Sequence, residues 1–200
     1  MIEELAPYRE RKPVRLAPGA SALLVLDMQH YFAGSDSHAF IPSIPAIIPR
    51  IVRVARAFVA AGRPVIATRH IDATDPSSPM RRWWQGAIEA ADANAELIEP
   101  LQDLVSATVS KPSYDAFFKT NLDQLLAESA TDQVVVCGVH THLCCETTAR
   151  SAFMRGFDVF LAVDGTATYN GAFHRASLLN LAHGFAVPAL CREIVEAMSR

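Results

Sequence analysis

Three residues of this sequence stand where apolar runs stop, and their types suit attack on a carbonyl carbon. Asp27 closes Ala22-Leu23-Leu24-Val25-Leu26 and is followed by Met28-Gln29. Lys111 closes Thr108-Val109-Ser110. Cys144 follows the run Val134 to Cys137 after a turn over Gly138 to Leu143. Ligands of open parallel sheets bind outside the carboxyl ends of the strands, so polar residues at such ends face a crevice. A helix starting near Cys144 would place the thiol among unpaired backbone N–H groups at the positive end of the helix dipole. Both favour thiolate, and the same N–H groups can bind an oxyanion.

Each residue has a plainer reading by itself. Free cysteine is among the most buried residue types, a lone strand-end lysine is usually solvated, and an aspartate before a new element can be a helix cap. Together they are chemically coherent. A free thiol has a pKa of about 8.5 and needs activation near neutral pH, and a carboxylate beside a thiolate is unfavourable unless a cation lies between them. Asp27 can serve as base, Lys111 as that cation and Cys144 as nucleophile.

The elements that must position these residues follow from periodicity. Strands are expected at 22–27, 64–69, 107–110, 133–138 and 158–163, with a short sixth at 185–187. Helices are expected at about 45–61, 119–129, 144–155, 171–183 and 190–198, with Gly62, Gly156 and Gly184 as C-terminal caps. This alternation predicts an α/β fold, a parallel sheet covered on both faces. The first twenty residues, with Pro7, Pro13 and Pro18 among charges, read as an extended N-terminal arm, and residues 21–200 as one domain. Residues 70–104 form the least regular stretch, with a short helical pattern around Ala87 to Ala91; a connection this long is a flap or a subunit contact.

Three segments in register carry a family resemblance: Leu26-Asp27-Met28-Gln29, Lys111-Pro112-Ser113-Tyr114-Asp115-Ala116-Phe117-Phe118, and Gly138-Val139-His140-Thr141-His142-Leu143-Cys144-Cys145 followed by Thr148-Ala149. Over roughly residues 20–190 the sequence resembles the isochorismatase-like cysteine hydrolases, which include nicotinamidases, N-carbamoylsarcosine amidases and ureidoacrylate amidohydrolases. The resemblance implies a Rossmann-like three-layer α-β-α fold with strand order 3-2-1-4-5-6. It also implies an Asp27-Lys111-Cys144 triad and a cis peptide between Val139 and His140. The oxyanion hole would then consist of the backbone N–H groups of His140 and Cys144. The reaction class is hydrolysis of a small amide, carbamoyl or ureide C–N bond through a covalent acyl-enzyme. The alternative is an isochorismatase-type vinyl ether hydrolase. Members of that kind carry glycine at the nucleophile position, and Cys144 argues against it.

The remaining thiols read as structural. On a helix starting near Cys144, Cys145 aligns with Ala149, Ala152 and Phe153, a buried stripe, while Cys137 lies in a strand and Cys191 on the last helix. Four unpatterned cysteines without a signal peptide suggest reduced thiols and a cytoplasmic location. Metal is not expected, nor any other cofactor. Asp36-Ser37-His38 has an Asp-x-His spacing, but in the metal-binding nicotinamidases that pair lies further downstream; His70 has no aspartate two residues before it, and His140 and His142 only alternate along a loop.

Candidate pocket walls are Tyr31, Phe32 and Phe117, which follow the catalytic positions, and Trp83 and Trp84 in the flap; Arg69, Arg81 or Arg82 could receive a substrate carboxylate. The net charge of −3 leaves no electrostatic footprint for nucleic acid, and no apolar run reaches the 18 or so residues of a membrane helix. The expected partner is a small molecule. A homodimer or homotetramer is also expected, because Trp83-Trp84 and the apolar helix at 171–183, with Phe173, Leu178, Leu179 and Leu181, offer apolar surface for a partner to cover.

Overall fold

The computed structural model describes residues 2–10, 15–84 and 86–200. Its strands are β1 Ser21–Leu26, β2 Val65–His70, β3 Ala107–Lys111, β4 Gln133–Val139, β5 Asp158–Ala167 and β6 Val187–Ala189. The helices are α1 Ile2–Glu10, α2 His30–Ala33, α3 Ile44–Ala60, α4 Pro79–Trp83, α5 Glu99–Gln102, α6 Leu122–Glu128, α7 Glu146–Met154, α8 Gly171–Gly184 and α9 Cys191–Met198. The six strands pair in parallel in the order 3-2-1-4-5-6. Chain order reverses beside β1, which places β1 and β4 next to each other at the switch point.

The sheet is buried on both faces, which is why its central strands are continuous apolar runs rather than alternating ones. All six residues of β1 and all seven of β4 are buried. Leu23, Val25, Val135 and Cys137 pack with Ile47, Ile51 and Phe58 of α3 and Ile194 of α9. Leu24, Leu26, Val134 and Val136 point the other way, toward Leu126 of α6, Ala149 of α7, Leu178 and Leu181 of α8, and Leu5 of α1.

The N-terminal arm differs from expectation. Instead of running extended, residues 2–10 form α1 against α8. Leu5 is buried, the Tyr8 ring meets His183 edge-on at 6.0 Å, and Glu4 pairs with Arg175 at 3.1 Å. This packing covers part of the α8 surface counted above as available to a partner. Pro7 is accommodated within the helix, whereas Pro13 lies outside the described residues.

Smaller corrections have local causes. Gly62 and Gly156 take left-handed conformations with φ of 65° and 93°, as caps do, but Gly184 is the last helical residue of α8 and Phe185 caps it. In the flap, helix forms at Pro79–Trp83, where proline suits a first turn, and residues 87–89 are irregular. Phe153, expected in the buried stripe of α7, is 46% exposed, while Cys145, Ala149 and Ala152 are fully buried.

Candidate active site

The register of the sheet assembles the site. Leu26 lies opposite Gly138 across β1 and β4, and His70 opposite Lys111 across β2 and β3, so the C-terminal ends of four strands share one edge. Adjacent strands lie about 4.8 Å apart, so a side chain reaching from β3 past β2 to β1 must span nearly 10 Å between backbones, a distance that favours a long side chain such as lysine. Lys111 makes that reach. Its Nζ lies 2.7 Å from Asp27 Oδ2 and 3.3 Å from Cys144 Sγ, and it donates to the Ser113 carbonyl at 2.9 Å.

Asp27 is held by its backbone as well as its charge. Its φ of 51° is left-handed, a conformation that aspartate tolerates better than most residues. Its N–H donates to Thr68 Oγ1 at 3.1 Å, and the Thr68 hydroxyl donates to Asp27 Oδ1 at 2.6 Å. Oδ1 is thus committed to Thr68. Oδ2, buried beside Lys111, receives no aligned hydrogen bond. Gly138 explains how β4 comes so close to this turn: its φ is 107°, and a Cβ there would lie 2.1 Å from the Leu26 carbonyl oxygen. Only glycine fits that approach.

Beyond Gly138 the Val139–His140 peptide is cis, and the chain enters a π-helical turn over Thr141–Cys145 before α7 begins at Glu146. Cys144 therefore lies in a widened turn ahead of the α-helix rather than at its first residue. The His140 carbonyl closes this turn, accepting from the amides of Leu143 and Cys145, each at 3.1 Å.

The electrostatics correct the expected thiolate. Burial, then the charge of Asp27, push the Cys144 thiol up to about 12, against the opposing pull of Lys111. Burial also opposes charge on Asp27, but Lys111, followed by His70, holds its carboxyl below the usual range. For Lys111, burial disfavours the ammonium, yet Asp27 and then Cys144 keep it charged well past neutral pH. The resting trio is thiol, carboxylate and ammonium, with no net charge. Burial, with His142 second, lowers His140 to about 3, so its imidazole is neutral across the working range.

Above the trio lies a cavity of about 370 Å³. Cys144 lines it, together with Tyr31 and Phe32 of α2, His140, and Trp83 and Trp84 of the flap. The His140 ring meets Phe32 edge-on at 4.9 Å and stacks on Tyr169 at 4.8 Å. Phe117 is elsewhere. It stacks on Phe157 at 6.1 Å under the Arg155 guanidinium, buried behind α7. The wall on that side is Tyr114, whose hydroxyl accepts from Trp84 Nε1 at 2.6 Å. Thr68, Asp72 and Tyr169 were also missed in the sequence, where His70 entered only as a rejected metal ligand. Thr68-Arg69-His70 carried a signal, being a polar stretch at the end of a strand with an apolar beginning.

The candidate arginines are engaged otherwise: Arg69 with Glu96, and Arg81 with the Ala73 carbonyl at 2.6 Å. Arg82 is exposed, and none of the three lines the cavity. His38 does line it, bonded to the Tyr31 hydroxyl at 3.0 Å. Among the described residues, no three His, Cys, Asp or Glu side chains converge to hold a metal ion.

The isochorismatase domain model matches residues 21–192. The chain belongs to the isochorismatase family. It is 38% identical to Nicotinamidase 3 of Arabidopsis thaliana, over 87% of this chain and 86% of that protein. It is 29% identical to the ureidoacrylate amidohydrolase RutB of Methylobacterium radiotolerans, over 85% of this chain and 76% of that one. Among solved structures, a cysteine hydrolase from Pseudomonas syringae pv. phaseolicola superposes with a TM-score of 0.88 at 30% identity, covering 94% of this chain and 98% of that one. The family is one of hydrolases, and its nicotinamidase and amidohydrolase members act on non-peptide C–N bonds. Among the described residues, no helix is long and apolar enough to cross a membrane.

Proposed function

We propose that this family member hydrolyses the primary carboxamide of a small, neutral, planar compound through an acyl-enzyme on Cys144. The observation that carries the reading is Lys111 Nζ between Asp27 Oδ2 and Cys144 Sγ, under a cavity with aromatic walls. Its described lining includes no lysine or arginine, so a substrate carboxylate, as in carbamoyl or ureido acids, would meet no cation there. The 38% identity to a plant nicotinamidase supports an aromatic ring bearing the amide.

In the proposed reaction Asp27 Oδ2 takes the Cys144 proton as Sγ bonds to the carbonyl carbon. The amides of His140 and Cys144 hold the oxyanion, since those of Leu143 and Cys145 already serve the His140 carbonyl. Protonated Asp27 then gives its proton to the leaving nitrogen, the C–N bond breaks, and ammonia departs. Water enters, Asp27 takes one of its protons, and hydroxide adds to the thioester. Loss of the C–S bond frees the acid and returns the proton to Cys144. Lys111 remains charged throughout, offsetting whichever of the two partners is anionic.

Nicotinamide should release ammonia, whereas its carbamoyl and ureido-acid counterparts should react at least about tenfold more slowly, given the cost of burying an unpaired carboxylate. Dialysis against EDTA should leave the rate intact, as expected from the donor set. Faster turnover of a carboxylate-bearing ureide would defeat the substrate assignment. Loss of activity that a divalent metal restores would defeat the metal-free assignment.

We also propose a homodimer or homotetramer whose contact includes Trp83. That ring is 78% exposed at the cavity rim, while Trp84, at 39%, is tied to Tyr114. Light scattering should give at least twice 21.8 kDa, and Trp83→Ala should weaken association. A monodisperse, fully active monomer would remove this contact.

A further inference from the structure

Strand β2 ends Thr68-Arg69-His70, and alternation along a strand turns Thr68 and His70 to the same side. Thr68 holds Asp27, as described above. His70 is held more elaborately still. Gln29, the last residue of the Asp-Met-Gln segment, is fully buried, accepts from the His70 backbone N–H at 2.8 Å and donates to the His70 carbonyl at 3.2 Å. The ring is fixed from beyond the strand: Nε2 lies 3.3 Å from Asp72 Oδ1, with both side chains only 8% exposed. Asp72 itself is anchored where the flap returns, accepting from the Ile88 N–H through Oδ2 at 2.8 Å and donating its own N–H to the Ile88 carbonyl at 2.9 Å.

A carboxylate only accepts, so the contact with Asp72 places the imidazole proton on Nε2. Burial opposes charge on Asp72, but the bonds from His70 and Ile88 hold its carboxyl below the usual range. In the neutral ring Nδ1 then carries the lone pair. Nδ1 is buried and has no hydrogen-bond partner, although His70 and Asp72 both line the cavity above Cys144. A buried acceptor without a donor is destabilising unless a ligand supplies one.

We propose that His70 is a specificity residue whose Nδ1 accepts an N–H of the scissile carboxamide and orients the leaving nitrogen toward Asp27. The proposal rests on the amidase reading above. Its geometry is consistent with that reading, because Lys111 on the neighbouring strand is the register partner of His70 and binds Asp27. No proton moves through His70. It selects substrates with a leaving –NH2 over those with a leaving –OR, which has no hydrogen to offer.

The test compares nicotinamide with methyl nicotinate, which share a ring and an acyl group, in the wild type, His70→Phe and Asp72→Asn. His70→Phe keeps a flat ring without the nitrogen. Asp72→Asn can keep the bond to Ile88 through its oxygen while its –NH2 donates to Nε2, which drives the imidazole proton onto Nδ1 and converts the acceptor into a donor. Both variants should lose about ten- to a hundredfold in kcat/KM for the amide and less than about threefold for the ester. Asp72→Asn keeps the comparison available if His70→Phe does not fold. Equal losses on amide and ester would overturn the role of His70 and reduce the pair to a flap anchor. A wild type that hydrolyses neither compound would instead overturn the amidase reading, and this proposal with it.

Discussion

Cys144→Ala is expected to lower amide hydrolysis by at least about a thousandfold, because it removes the atom proposed to form the covalent intermediate. Global stability should change far less, since the thiol contributes one small side chain to the floor of an open cavity. Iodoacetamide provides a second readout. All four cysteines are free and buried, so labelling should depend on which thiol a small reagent can reach. Cys144 lines the cavity, whereas Cys137 and Cys145 are sealed in the two cores and burial pushes their thiols well up. Cys191 is also raised, by burial and then by the neighbouring Asp164 carboxylate. Mass spectrometry of the partly alkylated protein should therefore find the first adduct on Cys144. Protection by nicotinamide would tie that adduct to the cavity. A first adduct on Cys145, with activity retained in Cys144→Ala, would move the nucleophile by one residue.

The parts of this site legible in the sequence are those governed by strand ends. Asp27 and Lys111 could be placed because an apolar run that stops at a charge has few outcomes in a parallel sheet covered on both faces. Their juxtaposition depends on strand order, which the resemblance supplied and local pattern did not. The turn around Cys144 was only half legible. Gly138 announces a break, but a π-helical turn leaves no periodic signature over five residues, so the helix was placed about two residues early. The same limit misplaced Phe117. From Ser113 to Thr120 the chain is irregular, and side-chain bonds to its backbone decide which residues turn inward: Thr148 Oγ1 accepts from the Ala116 N–H, and Asp115 Oδ1 from that of Phe117. Those contacts send Phe117 to the core and leave Tyr114 at the cavity. The N-terminal segment was misread for another reason. Its local prolines and charges argue for an extended chain, but α8 offers a tertiary surface on which Leu5 can be buried, and such burial can override local preference.

The thiol illustrates a different limit, in which the groups were identified and the balance among them was not. Proximity to a lysine and a helix start argues for a lowered pKa. The structure adds two opposing effects, burial and the negative charge of Asp27, and both exceed the pull of Lys111. On the proposed mechanism the nucleophile is stored as a thiol and gives up its proton to Asp27 as it attacks the substrate. That arrangement limits adventitious oxidation and alkylation, which require thiolate.

Asp27→Asn separates storage from activation, because the two readouts should move in opposite directions. Turnover should fall by about a hundred- to ten-thousandfold, since Asp27 is the carboxylate proposed to accept the Cys144 proton and later deliver it to the leaving nitrogen. Reactivity toward iodoacetamide should rise. The carboxylate raises the thiol pKa by disfavouring a second negative charge nearby, so its removal lowers that pKa, and Lys111, having lost its partner, is left to stabilise thiolate instead. In the wild type the alkylation rate should keep climbing with pH toward about 12, whereas in Asp27→Asn the climb should begin and level off at lower pH. Thr68 can still donate its hydroxyl to the asparagine oxygen, so the turn after β1 is expected to keep its shape and the comparison its meaning. An unchanged alkylation profile would show that Asp27 does not set the charge state of Cys144, and retained turnover would show that the proton goes elsewhere.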